Sequence, residues 1–130
     1  MSIQDPLLRE FHIGDVLSIT SEKLVSPRLM DGVYDILDYM TGENLFTHQL
    51  IRARKACAPY LLKQHPELAA ETCDDVSPAN WRERLAELVL KYGEFLAVEP
   101  LPHGSYIPID PITEAEAMFG PERVIVVKGD

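Results

Sequence analysis

Cysteine is scarce in this chain: Cys57 and Cys73 stand alone, with no CxxC spacing. Two thiols without a secretory context read as reduced, buried small hydrophobes, which excludes a disulfide-built scaffold. A metal centre assembled from His48, Cys57, His65 and Cys73 is equally unexpected. Structural zinc sites favour closely paired ligands, and these spacings match none. Neither a metal nor a cofactor is expected.

Long apolar runs are missing too. The longest aliphatic run is Val124 to Val127, far short of the ~20 residues that a membrane-spanning helix needs. The opening stretch MSIQDPLLRE has no basic n-region and no apolar h-region, so it does not read as a signal peptide. The cytoplasm is the expected location.

Positive charge is in short supply, with 12 Lys and Arg against 21 Asp and Glu and a net charge of -9. Coating a nucleic acid needs clustered cations that displace counterions, so direct nucleic-acid binding is not expected. The balance does suit a partner with a basic groove. Catalytic signatures are absent as well: there is no Gly-rich phosphate loop, no GxSxG and no HExxH.

What is present fits an ordinary globular protein, 46% hydrophobic and 25% charged. A chain of 130 residues suits one domain that buries roughly two thirds of its unfolded surface. FHIGDVLSIT, 11–20, is rich in Val and Ile and reads as a strand, with SEK as a turn and LVS as a short return strand. Ser26-Pro27 reads as a helix start. Met30, Val33, Ile36, Leu37 and Met40 recur at helical spacing up to Gly42, which suits a left-handed closing residue. A second helix starts between Asn44 and Thr47 and turns Leu50, Ala53, Cys57 and Leu61 inward, with a kink or break expected at Pro59.

Residues 66–77 read as a polar loop. A third helix follows from Ser77-Pro78 to Gly93, with Trp81, Leu85, Leu88, Val89 and Tyr92 on one side and an external Glu87–Lys91 pair. EFLAVEPL reads as a strand, residues 100–111 as a proline-rich loop, and Thr113 to Glu116 as a capping box opening a short helix. VIVV, 124–127, reads as a covered strand. The expected fold is α+β: about three helices packed on a small antiparallel sheet of about three short strands, in a single domain spanning 1–130.

The stretch YMTGENLFTHQLIRARKAC, 39–57, holds the sequence's one marked contrast of charge. Asp31, Asp35 and Asp38 share a helix face, with Glu43 beyond its end, and such a row of carboxylates imitates phosphates. Thr47, His48, Arg52 and Lys55 follow at the start of the next helix. His48 is the residue to test for general acid-base chemistry, because imidazole titrates near neutrality. The spacing itself favours a junction displaying paired acidic and basic patches, so these eight residues are read as a partner-binding surface, with no catalytic residue assigned.

GDVLSIT at 14–20, YDILDYMTGENLFTHQL at 34–50 and KQHPEL at 63–68, with GPERVIVV at 120–127 more loosely, resemble small uncharacterised proteins of bacteriophages and prophages. The resemblance implies a phage accessory protein in a bacterial cytoplasm and assigns no active-site residues. By analogy with anti-CRISPR and anti-restriction proteins of similar size and charge, it implies a stoichiometric inhibitor that binds a host protein or nucleoprotein complex. A structural or regulatory phage protein acting as a homodimer is the alternative, and a small enzyme using His48 a further one.

Overall fold

A helix, not a strand, occupies the centre of the fold. The computed structural model describes residues 8–21, 23–102 and 104–119. In it FHIGDVLSIT divides between β1 (Arg9–His12) and α1 (Ile13–Thr20). Ile13, Val16, Leu17 and Ile19 are all fully buried, with Asp15 and Ser18 between them, so this eight-residue helix shows no exposed face. Local bonds favour the helix over the strand that its β-branched residues suggest. His12 Nδ1 accepts the Gly14 amide at 3.0 Å, and the Ser18 hydroxyl donates to the Gly14 carbonyl at 2.7 Å. Tertiary burial then overrides propensity, each side chain contributing about 1.5–3 kcal/mol.

Four further helices surround α1 or flank its neighbours: α2 (Met30–Thr41), α3 (Leu50–Gln64), α4 (Trp81–Tyr92) and α5 (Pro111–Phe119). Single 3-10 turns at Thr47–Gln49 and Pro66–Ala70 bracket α3. β2 (Phe95–Val98) pairs antiparallel with β1, placing His12 opposite Phe95 and Arg9 opposite Val98. The class is α+β, with five helices rather than three and a two-stranded sheet among the described residues. LVS, 24–26, is loop rather than strand, because the Val25 amide is bonded to the Ser18 hydroxyl at 3.0 Å instead of to a neighbouring strand. The VIVV segment lies outside the described residues.

The inner faces of α2 and α3 match the sequence pattern. Val33, Ile36, Leu37 and Met40 are buried, as are Leu50, Ala53, Cys57 and Leu61, whereas Met30, expected on the same stripe, stands exposed at the first residue of α2. Gly42 closes α2 with φ 75°, the left-handed conformation that glycine adopts without a Cβ penalty. The helix starts later than Ser26-Pro27 suggests, since residues 27–29 form a turn. α3 runs through Pro59 unbroken. Pro59 sits on the exposed side, so water can satisfy the carbonyl one turn back that loses its amide partner.

Two local pairings differ from the sequence reading. Glu87 bonds Arg84 at 2.9 Å while Lys91 reaches Glu71 at 3.0 Å, because Glu71 is held beside α4 by the loop before it. Asp110, not Thr113, caps α5, accepting the Thr113 amide at 3.0 Å. Glu114 in that helix is turned inward instead. The sheet rests on the helices through Tyr39, whose hydroxyl donates to the Val98 carbonyl at 2.8 Å, and through His65, whose Nε2 lies 2.7 Å from the Ala97 carbonyl.

Candidate interaction surface

The acidic row of α2 is not a solvated stripe. Asp35 accepts a two-pronged bond from Arg9, at 3.0 and 2.7 Å, and Arg28 reaches the same carboxylate at 3.0 Å. Arg28 also donates to Asp15 at 2.7 Å. Asp15 is only 1% exposed and takes a second bond, 2.5 Å, from the Ser26 hydroxyl. Gly32 makes room for this network, since a Cβ there would collide with Ser26 Oγ and Asp15 Oδ1. Burial alone would raise the Asp35 carboxyl, but the hydrogen bonds from Arg9 and Arg28 outweigh it and hold the group below the ordinary aspartate range. Asp38 is half-buried and accepts the Leu45 amide at 3.0 Å, which leaves Asp31 as the exposed member of the row.

The residues that follow are structural to a similar degree. Thr47 Oγ1 lies 2.5 Å from the Tyr34 hydroxyl, and His48 Nε2 lies 2.7 Å from the Pro111 carbonyl. Arg52 clamps the Glu114 carboxylate from Nε at 2.8 Å and Nη2 at 3.2 Å, donates to the Ile107 carbonyl, and lies 4.6 Å over the Tyr106 ring. Gln49, buried, donates to Glu114 and to the Ile109 carbonyl, each at 3.1 Å. The Arg52 hydrogen bond pulls the Glu114 carboxyl below its ordinary range, against the opposing effect of burial. This cluster fastens α5 to the start of α3. Glu43 lines the small cleft beside it, and Lys55 stands exposed on α3. The geometry therefore brings His48 and Arg52 to the α5 contact, Thr47 to Tyr34 of α2 and Asp35 to the Arg9–Arg28 pair.

Cys57 and Cys73 are buried and unbridged. Burial pushes the Cys57 thiol up to about 12 and raises Cys73 as well, so neither is poised as a nucleophile. Among the described residues no group of three His, Cys, Asp or Glu side chains is arranged to hold a metal ion. Nor, among them, is any helix long and apolar enough to cross a membrane.

The surface that sequence reasoning missed is apolar. Three grooves run in succession. One, about 190 Å³, lies between α2 and α3 and is bordered by Leu24, Met30 and Ile51. The next, about 390 Å³, shares Leu24 and continues past Leu29 to Trp81. The last, about 530 Å³, shares Trp81 and follows α4 to Leu90. Leu90 is 88% exposed and Ile51 57%. Leu24 borders the first two grooves and Trp81 the last two, so these exposed apolar side chains lie on neighbouring grooves. The residues are far apart in the chain, so no local pattern announces them. The LVL run at 88–90, too apolar for one helix face, was the available signal.

Residues 11–71 match a family described as a domain of unknown function (DUF7736). The matched segment holds α1, α2 and α3, and with them every residue bordering the first groove. No curated protein and no solved structure matches the chain.

Proposed function

We propose that this protein is a recognition module that acts by stoichiometric binding to another protein, without turnover. The observation that carries this reading is the continuous apolar strip from Ile51 to Leu90, joined through Leu24 and Trp81. A small domain that leaves so much apolar surface bare gains by covering it. The junction residues first read as the binding surface are largely occupied in holding the fold, with Asp31 and Lys55 left exposed.

The resemblance to small phage and prophage proteins supports a more specific form of the reading. In it the module works in a bacterial cytoplasm as an inhibitor of host defence, and its target is a CRISPR effector or a restriction enzyme. Titration of the purified protein into a cleavage assay for each nuclease tests it. Inhibition should saturate at an equimolar ratio and should not grow with incubation time. Progressive inactivation by trace amounts means turnover instead, and His48→Ala then identifies the chemistry. Capture of virion proteins from infected cells, with no nuclease affected, supports the structural homo-oligomer.

A further inference from the structure

Resting on that recognition reading, we infer that the strip binds an amphipathic helix whose apolar face is flanked by Asp and Glu. The shape of the largest groove argues for a helix. Trp81, Leu85 and Val89 form one ridge of α4 at four-residue steps, and Arg82, Ala86 and Leu90 form the next. The channel between them is low at Ala86 and walled by Leu90, and it runs for eight residues, ~12 Å along the axis. Such a channel accepts the four-residue ridge of a second helix crossing at about -50°. Beyond Trp81 the channel opens onto Leu29, whose backbone has φ 56°. A positive φ is strained for a leucine. That strain places a 47% exposed apolar side chain in the middle groove.

The charge lining the strip argues for the acidic flanks. In a chain with 21 carboxylates and 12 Lys and Arg, no Asp or Glu among the described residues lines any of the three grooves. Lys23, Arg54 and Arg82 do. Lys23 and Arg82 make no ion pair among the described residues, and Arg82 lies 4.8 Å over the Trp81 ring, at the joint of two grooves. A neutral or basic partner would cover Lys23 and Arg82 without compensation, whereas acidic flanks pair with them. A second copy of this chain fits poorly. An isologous dimer would set the cationic rim against itself.

Trp81 is the chain's single tryptophan, so its fluorescence reports occupancy directly. The probes are two synthetic helical peptides of ~18 residues with one leucine face, flanked by Glu in the first and by Lys in the second. The Glu peptide should shift Trp81 emission to the blue and bind at least ~10-fold tighter than the Lys peptide, and the preference should shrink as salt is raised. Arg82→Glu with Lys23→Glu should invert the preference, and Leu90→Asp should weaken both peptides; circular dichroism checks that each variant folds. Equal affinity for the two peptides, or a preference that survives the charge reversal, overturns the acidic partner. Sedimentation showing that peptide binding competes with self-association assigns the strip to a second copy and also overturns it. If neither peptide binds while a nuclease is still inhibited by Leu90→Asp, the recognition reading stands and the strip is not its surface.

Discussion

Arg52 and Glu114 meet across 62 positions of chain, Nε to Oε2 at 2.8 Å, and this pair ties α5 to the helix that carries the core. Glu114 is buried to 6% exposure, with Gln49 completing its bonds. Truncating Glu114 to Ala should cost about 1.5–3 kcal/mol, the range for hydrogen bonds to charged groups, and should release α5 before the rest unfolds. Its folded pKa is depressed, so the contribution is complete above the unfolded glutamate value of ~4.3 and is lost as pH falls through the lower folded value. Amide exchange of α5 as a function of pH checks this. Protection unchanged between pH 6 and the acid limb, in wild type and Glu114→Ala alike, would show that the pair does not hold α5.

The two thiols give a second outcome. Both are buried and free, and burial pushes Cys57 up to about 12. At pH 8 a water-soluble thiol reagent should react with the native protein slowly or not at all, and with both cysteines after denaturation. Fewer than two reactive thiols in the denatured, unreduced chain would indicate a bridge. Fast reaction of native Cys57 would mean that α3 does not turn its Leu50–Leu61 face inward.

Within α4 the sequence treats Trp81 and Leu85 as equals, but the structure separates them. Leu85 is buried against the centre, and Trp81 is half-buried at the groove joint. Leu85→Ala should destabilise by about 2–5 kcal/mol, as large-to-small core changes do. Trp81→Ala should cost clearly less, because part of its surface is already in water. Urea unfolding measures both. If the two losses are equal, Trp81 belongs to the core and the strip is interrupted at its middle.

These contrasts show why the sequence revealed some parts of the molecule and concealed others. α2 and α3 bury one face each, so Val33 to Met40 and Leu50 to Leu61 carry a helical period that a reader can detect. α1 is only eight residues long and buried from Ile13 to Ile19, and its Val and Ile mimic a strand. Ion pairs such as Arg9–Asp35 and Arg52–Glu114 join residues 26 and 62 positions apart, and charge patterning looks only a few residues ahead. The same holds for the strip, assembled from Leu24, Leu29, Trp81 and Leu90. A row of aspartates was legible; the arginines that fold over it were not.

Replacing that row tests the difference. A solvated stripe of like charges would gain stability from Asp31→Asn, Asp35→Asn and Asp38→Asn together, through relief of i,i+4 repulsion. The Arg9 and Arg28 contacts to Asp35 predict the reverse. Asp31→Asn alone, exposed, should stay within about 0.5 kcal/mol. Asp38→Asn keeps an oxygen for the Leu45 amide and should change little. Asp35→Asn should cost about 1 kcal/mol, the upper end for partly exposed pairs, since two guanidinium contacts lose their charge. The depressed Asp35 carboxyl fixes the sign with pH. The deficit is full above the unfolded aspartate value of ~3.9 and closes as pH falls through the lower folded value. Rising salt should narrow it too. Urea unfolding of the three single variants and the triple, at neutral and acid pH, decides the matter. A triple variant at least as stable as wild type would mean that Arg9 and Arg28 do not neutralise the row. Partner binding adds a separate arm: if recognition runs through the strip from Ile51 to Leu90, as proposed, the triple variant should inhibit the proposed target as wild type does. If it instead folds normally and loses inhibition, the carboxylates touch the partner and the phosphate-mimic surface is the functional one.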